Sequence, residues 1–100
     1  MKSTLEDTTL RISFDGDLLS TNVHDLRPKL FQALEANPDA TTLHADLKNC
    51  KVIDSMGLNL LIALYRECEK RKISFKAINV SPEVKRLFGF LNLTSRFGVE

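Results

Sequence analysis

Apolar residues follow two different periods in alternate stretches of this chain. Residues 9–14 alternate Leu10, Ile12 and Phe14 with polar residues, which is the period of a strand with one buried face. Two further strands are predicted at 42–47 and 73–77, and helical spacing of apolar residues is found at 21–36, 55–70 and 82–91. This alternation predicts parallel crossover units. We therefore expect an α/β fold with a small, mostly parallel β-sheet and helices packed mainly on one face.

The ends of the predicted elements carry recognisable signals. Pro28 lies within the first helical pattern and is tolerated only near a helix start, so regular helix is expected from about Asp25. Ser81 and Pro82 suit the N-cap and first position of the last helix. Residues 2–6 are a candidate partner strand for the sheet, and residues 94–100 are expected to fray.

Length and charge narrow the class of protein. One hundred residues make a single domain, 1–100, and 14 basic against 13 acidic residues leave a net charge of +1. A nucleic-acid-binding surface would need clustered excess Lys and Arg, so no nucleic acid is expected as a partner. The chain has neither an apolar run of about 18 residues nor an apolar signal core at its start. We expect a cytoplasmic protein that does not insert into a membrane.

The segment VIDSMGL places a hydroxyl where a strand should become a helix. In the structural interpretation, Asp54 caps the helix, Ser55 lies in its first turn and Gly57 lets the helix pack closely on the sheet. In the functional interpretation, Ser55 is a phosphoacceptor facing solvent, and the helix N-terminus tolerates the added phosphate. The residue types alone leave both interpretations open.

The helix after this turn carries more apolar residues than one face needs. A helical wheel assigns the core face to Gly57, Leu61, Leu64, Tyr65 and Cys68. Met56 and Leu60 fall nearer the polar face, one turn apart. We interpret this pair either as ordinary exposed apolar residues or as a docking patch beside the helix start.

Signs of catalysis or metal binding are weak. The segment around Ser55 is not GxSxG, and spacing gives no reason to bring His24 or His44 to it as a base. The chain has no Gly-rich phosphate loop. Cys50 and Cys68 lack the spacing of a zinc site, so we expect two reduced thiols. We predict no enzyme activity, no catalytic residue, no metal and no cofactor.

Five short motifs together resemble the STAS domain, and specifically the bacterial anti-sigma factor antagonists. The motifs are GDL at 16–18, DL at 46–47, VIDSMGL at 52–58, VSPEV at 80–84 and LNL at 91–93. The resemblance covers nearly the whole chain. It implies a STAS-like sheet with helices and a function in binding rather than in catalysis.

The resemblance also implies a switch in partner binding. An anti-sigma factor that is a serine kinase of the GHKL ATPase type binds the unphosphorylated domain and phosphorylates Ser55. The phosphorylated form dissociates, and a metal-dependent serine phosphatase resets it. The implied partner-binding residues are Asp17, Leu19, Ser20, Thr21, Asp54, Ser55, Met56, Gly57, Asn59 and Leu60.

Two positions depart from the family pattern. Leu19 stands where the family usually has Asp, and Met56 replaces a second Ser or Thr, which leaves Ser55 as the acceptor. An alternative function is a constitutive STAS interaction subunit of a bacterial phospholipid ABC transporter, which needs no kinase. The residue at position 19 fits this alternative better than the switch. A nucleotide-binding or nucleotide-hydrolysing protein is the third and least favoured candidate.

Overall fold

A computed structural model describes residues 1–99 as four strands and three helices. In chain order they are β1 (Lys2–Glu6), β2 (Thr9–Ser13), α1 (Val23–Ala36), β3 (Thr42–Asp46), α2 (Ser55–Lys70), β4 (Ser74–Ile78) and α3 (Pro82–Phe90). The strands lie side by side in the order β1-β2-β3-β4. β1 is antiparallel to β2, whereas β2, β3 and β4 are mutually parallel. The predicted α/β fold and the strand expected at 2–6 are confirmed.

One face of the sheet is buried and forms one side of the hydrophobic core. The side chains buried on this face alternate along three strands, and they are Leu10, Ile12, Leu43, Ala45, Phe75 and Ala77. On the opposite face, Arg11, His44 and Lys76 stand in register across β2, β3 and β4 and are more exposed. The helices therefore cover one side of the sheet, as the periodicity predicts.

The first helix begins earlier than expected. α1 starts at Val23, two residues before the predicted Asp25, and Pro28 lies inside it. A proline at this position removes the backbone hydrogen bond that would reach the His24 carbonyl. His24 and Pro28 are both exposed, so the proline lies on the solvent-facing side of α1, and the helix continues through it to Ala36.

The C-terminal segment is ordered, and the expectation that it frays is wrong for residues 94–99. Phe97 is buried against Phe75 and Phe88, and its carbonyl accepts a hydrogen bond from the Ala77 backbone N–H at 2.7 Å. The segment thus covers the outer edge of β4. Residue 100 lies outside the described residues.

Both cysteines are free and belong to the core. Burial is the main cause that raises the pKa of the Cys50 thiol to about 11 and that of Cys68 to about 12. Within residues 1–99, no helix has the length and apolar character to cross a membrane.

Candidate functional site

Three strand-to-helix connections meet at one edge of the sheet. The carboxyl ends of parallel strands lie at the same edge, so the segments after β2, β3 and β4 are neighbours. The connection after β2 contains residues 14–22, and the connection after β3 contains residues 47–54. Ser55 lies at the end of the second connection, where α2 begins. The predicted site residues between positions 17 and 21 therefore lie in the first connection. Asp54 lies in the second connection, and Ser55 and Met56 lie at the start of α2.

Asp54 joins these two connections through its carboxylate. It is the N-cap of α2, and its Oδ1 accepts a hydrogen bond from the Gly57 N–H at 2.8 Å. Its Oδ2 accepts one from the Ser20 N–H at 2.7 Å. The bond from Gly57 and then that from Ser20 hold the pKa of Asp54 below its ordinary value. The carboxylate is therefore ionised at neutral pH and ties the loop after β2 to the start of α2.

Gly57 is required because another backbone comes very close to it. A Cβ at position 57 would lie 2.1 Å from the Leu18 carbonyl oxygen. Leu18 forms a parallel bridge with Ile53, and its carbonyl accepts a hydrogen bond from the Asp54 N–H at 3.1 Å. The structure thus confirms that Asp54 caps α2, whereas the backbone close to Gly57 belongs to the loop after β2 and not, as the structural interpretation expects, to the sheet.

Ser55 is the first residue of α2 and is exposed. The capping position is occupied by Asp54, so helix formation does not depend on the serine hydroxyl. Met56 is 50% exposed and Val52 is 53% exposed. Two large apolar side chains therefore flank the exposed hydroxyl along the chain.

The loop after β2 is fixed by a second carboxylate and an amide. The Asp17 Oδ1 accepts hydrogen bonds from the backbone N–H groups of Lys51 at 2.9 Å and Val52 at 3.0 Å. These two bonds, Lys51 first, lower the pKa of Asp17. The Asn22 side chain donates to the Asp17 carbonyl and accepts from the Leu19 N–H. Both sides of the site are thus held by hydrogen bonds to the backbone.

Leu60 does not lie on the surface, and its assignment to an exposed patch with Met56 is wrong. Leu60 is 3% exposed and belongs to the core cluster. Leu60 is three residues after Gly57 and four before Leu64, which is the spacing of one ordinary helix face. The wheel was centred too far towards Tyr65, which is only partly buried. The buried residues of this face are Gly57, Leu60, Leu61, Leu64 and Cys68. This face of α2 packs against both α1 and β4.

The other predicted site residues fall into two groups. Asp17, Leu19, Ser20 and Thr21 lie in the loop after β2, while Asp54, Ser55, Met56 and Gly57 form the start of α2. Asn59 is exposed one turn further along α2. The hydrogen bond from Ser20 to Asp54 brings the two groups together.

Sequence reasoning missed Val52 and Asn22. Val52 belongs to the VIDSMGL motif, but no pattern in the sequence indicates that its side chain is exposed, because β3 has already ended at Asp46 and the connection that follows has no regular period. Asn22 lies just before a helix, where an Asn side chain often bonds to nearby backbone groups. That position was the available signal for its role in holding the loop.

The comparisons with known proteins agree with this architecture. The family model described as the STAS domain matches residues 2–100. The anti-sigma factor antagonist SpoIIAA in its unphosphorylated form superposes with a TM-score of 0.80 at 24% identity, covering 99% of this chain and 86% of that one. The Bacillus cell fate determinant SpoIIAA in the phosphorylated form gives 0.74 at 23% identity, covering 99% and 89%. A sulfate transporter family protein from Wolinella succinogenes gives 0.79 at 16% identity, covering 96% and 79%. With nearly its whole length matched, the chain belongs to the STAS domain family.

Proposed function

We propose that this chain is an anti-sigma factor antagonist controlled by phosphorylation of Ser55. In its unphosphorylated form it binds an anti-sigma factor that is a serine kinase of the GHKL ATPase type, and thereby releases that factor's target. Phosphorylation at Ser55 abolishes binding, and a metal-dependent serine phosphatase restores it. The similar protein SpoIIAA, which bears the name of an anti-sigma factor antagonist and has a phosphorylated form, supports the proposal.

The observation that carries the proposal is that Asp54 has the structural role at the start of α2, while the neighbouring Ser55 is exposed and does not cap the helix. Asp54 caps α2 and holds the neighbouring loop, so the fold does not need the hydroxyl next to it. Ser55 is exposed at a helix N-terminus, where a kinase can reach it and where the helix dipole favours an added phosphate. The chain can therefore keep one fold in both states of modification.

The proposed docking surface consists of exposed residues around Ser55. Val52 and Met56 supply apolar area, while Ser20, Thr21 and Asn59 supply polar groups. Apolar residues bordered by polar ones are typical of a protein–protein interaction site. Asp54 and Gly57 hold the start of α2 close to the loop after β2, and Leu60 packs in the core under α2.

The charge of a phosphate is large enough to act as a switch on such a surface. Phosphoserine carries about −1.5 to −2 charges at neutral pH. At Ser55 these charges would lie beside the ionised Asp54, beneath the bound partner. Leaving such a charge unpaired in an interface costs about 2–5 kcal/mol, which corresponds to about 30-fold to more than a thousandfold in affinity.

The experiment is a binding comparison with charge-matched variants. The chain and its Ser55→Ala, Ser55→Asp and Ser74→Asp variants are immobilised, exposed to extract of the native cells and then titrated with the purified kinase that is retained. Ser74 is exposed at the start of β4, at the end of the strands away from Ser55. Ser74→Asp therefore controls for added charge alone. We expect the wild type, Ser55→Ala and Ser74→Asp to bind, and Ser55→Asp to bind at least about 30-fold more weakly. Full affinity of a folded Ser55→Asp variant would refute the charge switch.

A second candidate is the constitutive interaction subunit of a phospholipid ABC transporter. The observation in its favour is Leu19, which puts an apolar side chain in the loop beside the Ser55 turn, where the family pattern usually has Asp. In this case the immobilised chain would retain a membrane transporter complex rather than a kinase. The same immobilised variants separate the two functions, because Ser55→Asp and Ser55→Ala would then retain the same proteins.

A further inference from the structure

Among residues 1–99, no strand pairs with the outer edge of β1. β1 stands first in the strand order and hydrogen-bonds to β2 on its inner side, and all five of its side chains are exposed. At the other end of the sheet, the C-terminal segment covers β4 through the bond from Ala77 to Phe97. Open strand edges can pair with another strand. The outward backbone groups and the side-chain charges of β1 determine which strand fits it.

Ser3 and Leu5 present their backbone groups to the open side. Glu6 and Thr9 flank a two-residue turn, so they form a hydrogen-bonded pair, and the alternation then directs Thr4 towards β2 and its neighbours outward. The hydrogen bond from the Phe14 N–H to the Asp46 carbonyl agrees with this alternation. It shows that the even-numbered residues of β2 direct their backbone N–H and C=O groups towards β3. The odd-numbered residues of β2 therefore face β1.

The charges of β1 are complementary to those of a second copy turned by a two-fold axis. Lys2 and Glu6 lie on the same face of the strand, at its two ends. If two copies pair antiparallel about Thr4, each Lys2 faces the Glu6 of the other copy and each Ser3 faces the other Leu5. Parallel pairing in register would instead place Lys2 against Lys2. We propose that β1 pairs antiparallel with β1 of a second copy of this chain, joining the two sheets into one.

Side-chain and backbone requirements agree in this arrangement. Ser3 and Leu5 become a hydrogen-bonded pair across the two-fold axis, using the groups that point outward. Lys2 and Glu6 become a non-hydrogen-bonded pair, in which side chains approach most closely. Leu5, which is 48% exposed, lies diagonal to the Leu5 of the second copy at about 7–8 Å. A five-residue edge covers less than the roughly 1,600 Å² of a standard interface, so we expect a Kd in the micromolar range or weaker.

The test is sedimentation equilibrium of the chain without an N-terminal tag, over a concentration range up to about 1 mM. We expect the wild type to reach dimers. Lys2→Glu and Glu6→Lys should each raise the dimer Kd about tenfold, because each places like charges opposite each other twice. An equimolar mixture of these two variants should recover wild-type association, because every facing pair then has opposite signs. Lys85→Glu, at an exposed position on α3, is the control for net charge and should associate like the wild type.

A proline variant tests the backbone part of the proposal. Ser3→Pro removes an outward N–H and leaves the hydrogen bonds to β2 in place, as prolines on edge strands do. It should fold, as checked by circular dichroism, and fail to dimerise. A wild-type chain that is monomeric throughout the concentration range would overturn the proposal, including the case in which this edge serves a strand of another protein. Association that survives Ser3→Pro, or that the charge mixture fails to recover, would also overturn it.

Discussion

The carbonyl oxygen of Leu18 lies where the Cβ of any residue other than glycine at position 57 would have to be, only 2.1 Å from the ideal Cβ position. Leu18 also bridges Ile53 and accepts a hydrogen bond from the Asp54 N–H. The loop after β2 and the start of α2 are therefore one unit, and the geometry of the Ser55 turn depends on this approach.

Gly57→Ala should destabilise the protein and distort the Ser55 turn. The added methyl group meets backbone atoms of Leu18, which cannot rotate away, so α2 and the loop must separate. Overpacking of this kind costs about 1–3 kcal/mol in the free energy of unfolding, measured by urea denaturation. We expect partner affinity to fall as well.

Gly89→Ala is the matched control for this change. Gly89 lies in α3, and apart from its chain neighbours and the backbone of its own helix no atom of the described residues lies within 4 Å of an added Cβ. Alanine there should therefore raise stability by about 0.5–1 kcal/mol through helix propensity. If Gly57→Ala were as stable as Gly89→Ala, the close approach of Leu18 would not be a constraint in solution.

Leu60 and Met56 should respond differently to the same substitution. Leu60→Ala removes a core side chain and should lower the free energy of unfolding by about 2–5 kcal/mol. Met56→Ala changes a half-exposed residue and should lower it by less than about 0.5 kcal/mol, while weakening binding of the proposed partner. Thermal or urea unfolding together with a partner titration checks both. Equal effects on stability would contradict the placement of these two side chains.

Stability should fall in acid as Asp54 and Asp17 become protonated. Their carboxyl pKa values are lowered in the folded state by hydrogen bonds from backbone N–H groups, Gly57 first for Asp54 and Lys51 first for Asp17. The unfolded state therefore binds protons more readily. The stabilisation is present above the unfolded pKa of about 3.9 and is lost as pH falls through that value towards the folded pKa.

Urea denaturation at a series of pH values tests the assignment to Asp54. Asp54→Asn keeps a good N-cap residue but removes the titrating group, so the loss of stability in acid should become smaller. Asp39→Asn, an exposed change in the connection between α1 and β3, is the control and should keep the wild-type pH dependence. An unchanged acid profile for Asp54→Asn would show that this carboxylate does not gain its hydrogen bonds on folding.

The two thiols should be unreactive in the native protein. Burial raises the pKa of Cys50 to about 11 and that of Cys68 to about 12, so little thiolate exists at neutral pH and access is poor. A thiol reagent at pH 8 should react slowly with the native chain and rapidly with both cysteines in denaturant. Rapid labelling of one cysteine in the native state would show local opening around it.

The periodicity of the sequence was sufficient for the elements and for much of the site. α2 occupies the predicted residues 55–70, and Asp54 and Ser81 cap their helices as their residue types suggest. These features depend on local chemistry, namely hydrogen bonding at helix ends and apolar spacing. They can therefore be derived without knowledge of which elements become neighbours.

One error was a misread pattern, and another depends on a tertiary contact. The spacing of Leu60 from Gly57 and Leu64 already indicates the buried face, which the wheel placed too far towards Tyr65. Phe97 is buried because the C-terminal segment returns to β4. The apolar part of the proposed docking surface therefore changes from Met56 with Leu60 to Met56 with Val52, while Ser55 keeps its predicted position.

The most direct test of the central claim is the intact mass of this protein purified from its native cells, followed by peptide mapping of residues 52–66. The account predicts a population heavier by one phosphate, located on Ser55 and removed by phosphatase treatment, whose share changes with growth or stress conditions. A single unmodified mass under all conditions would contradict phosphorylation control of Ser55 and would favour the constitutive transporter subunit.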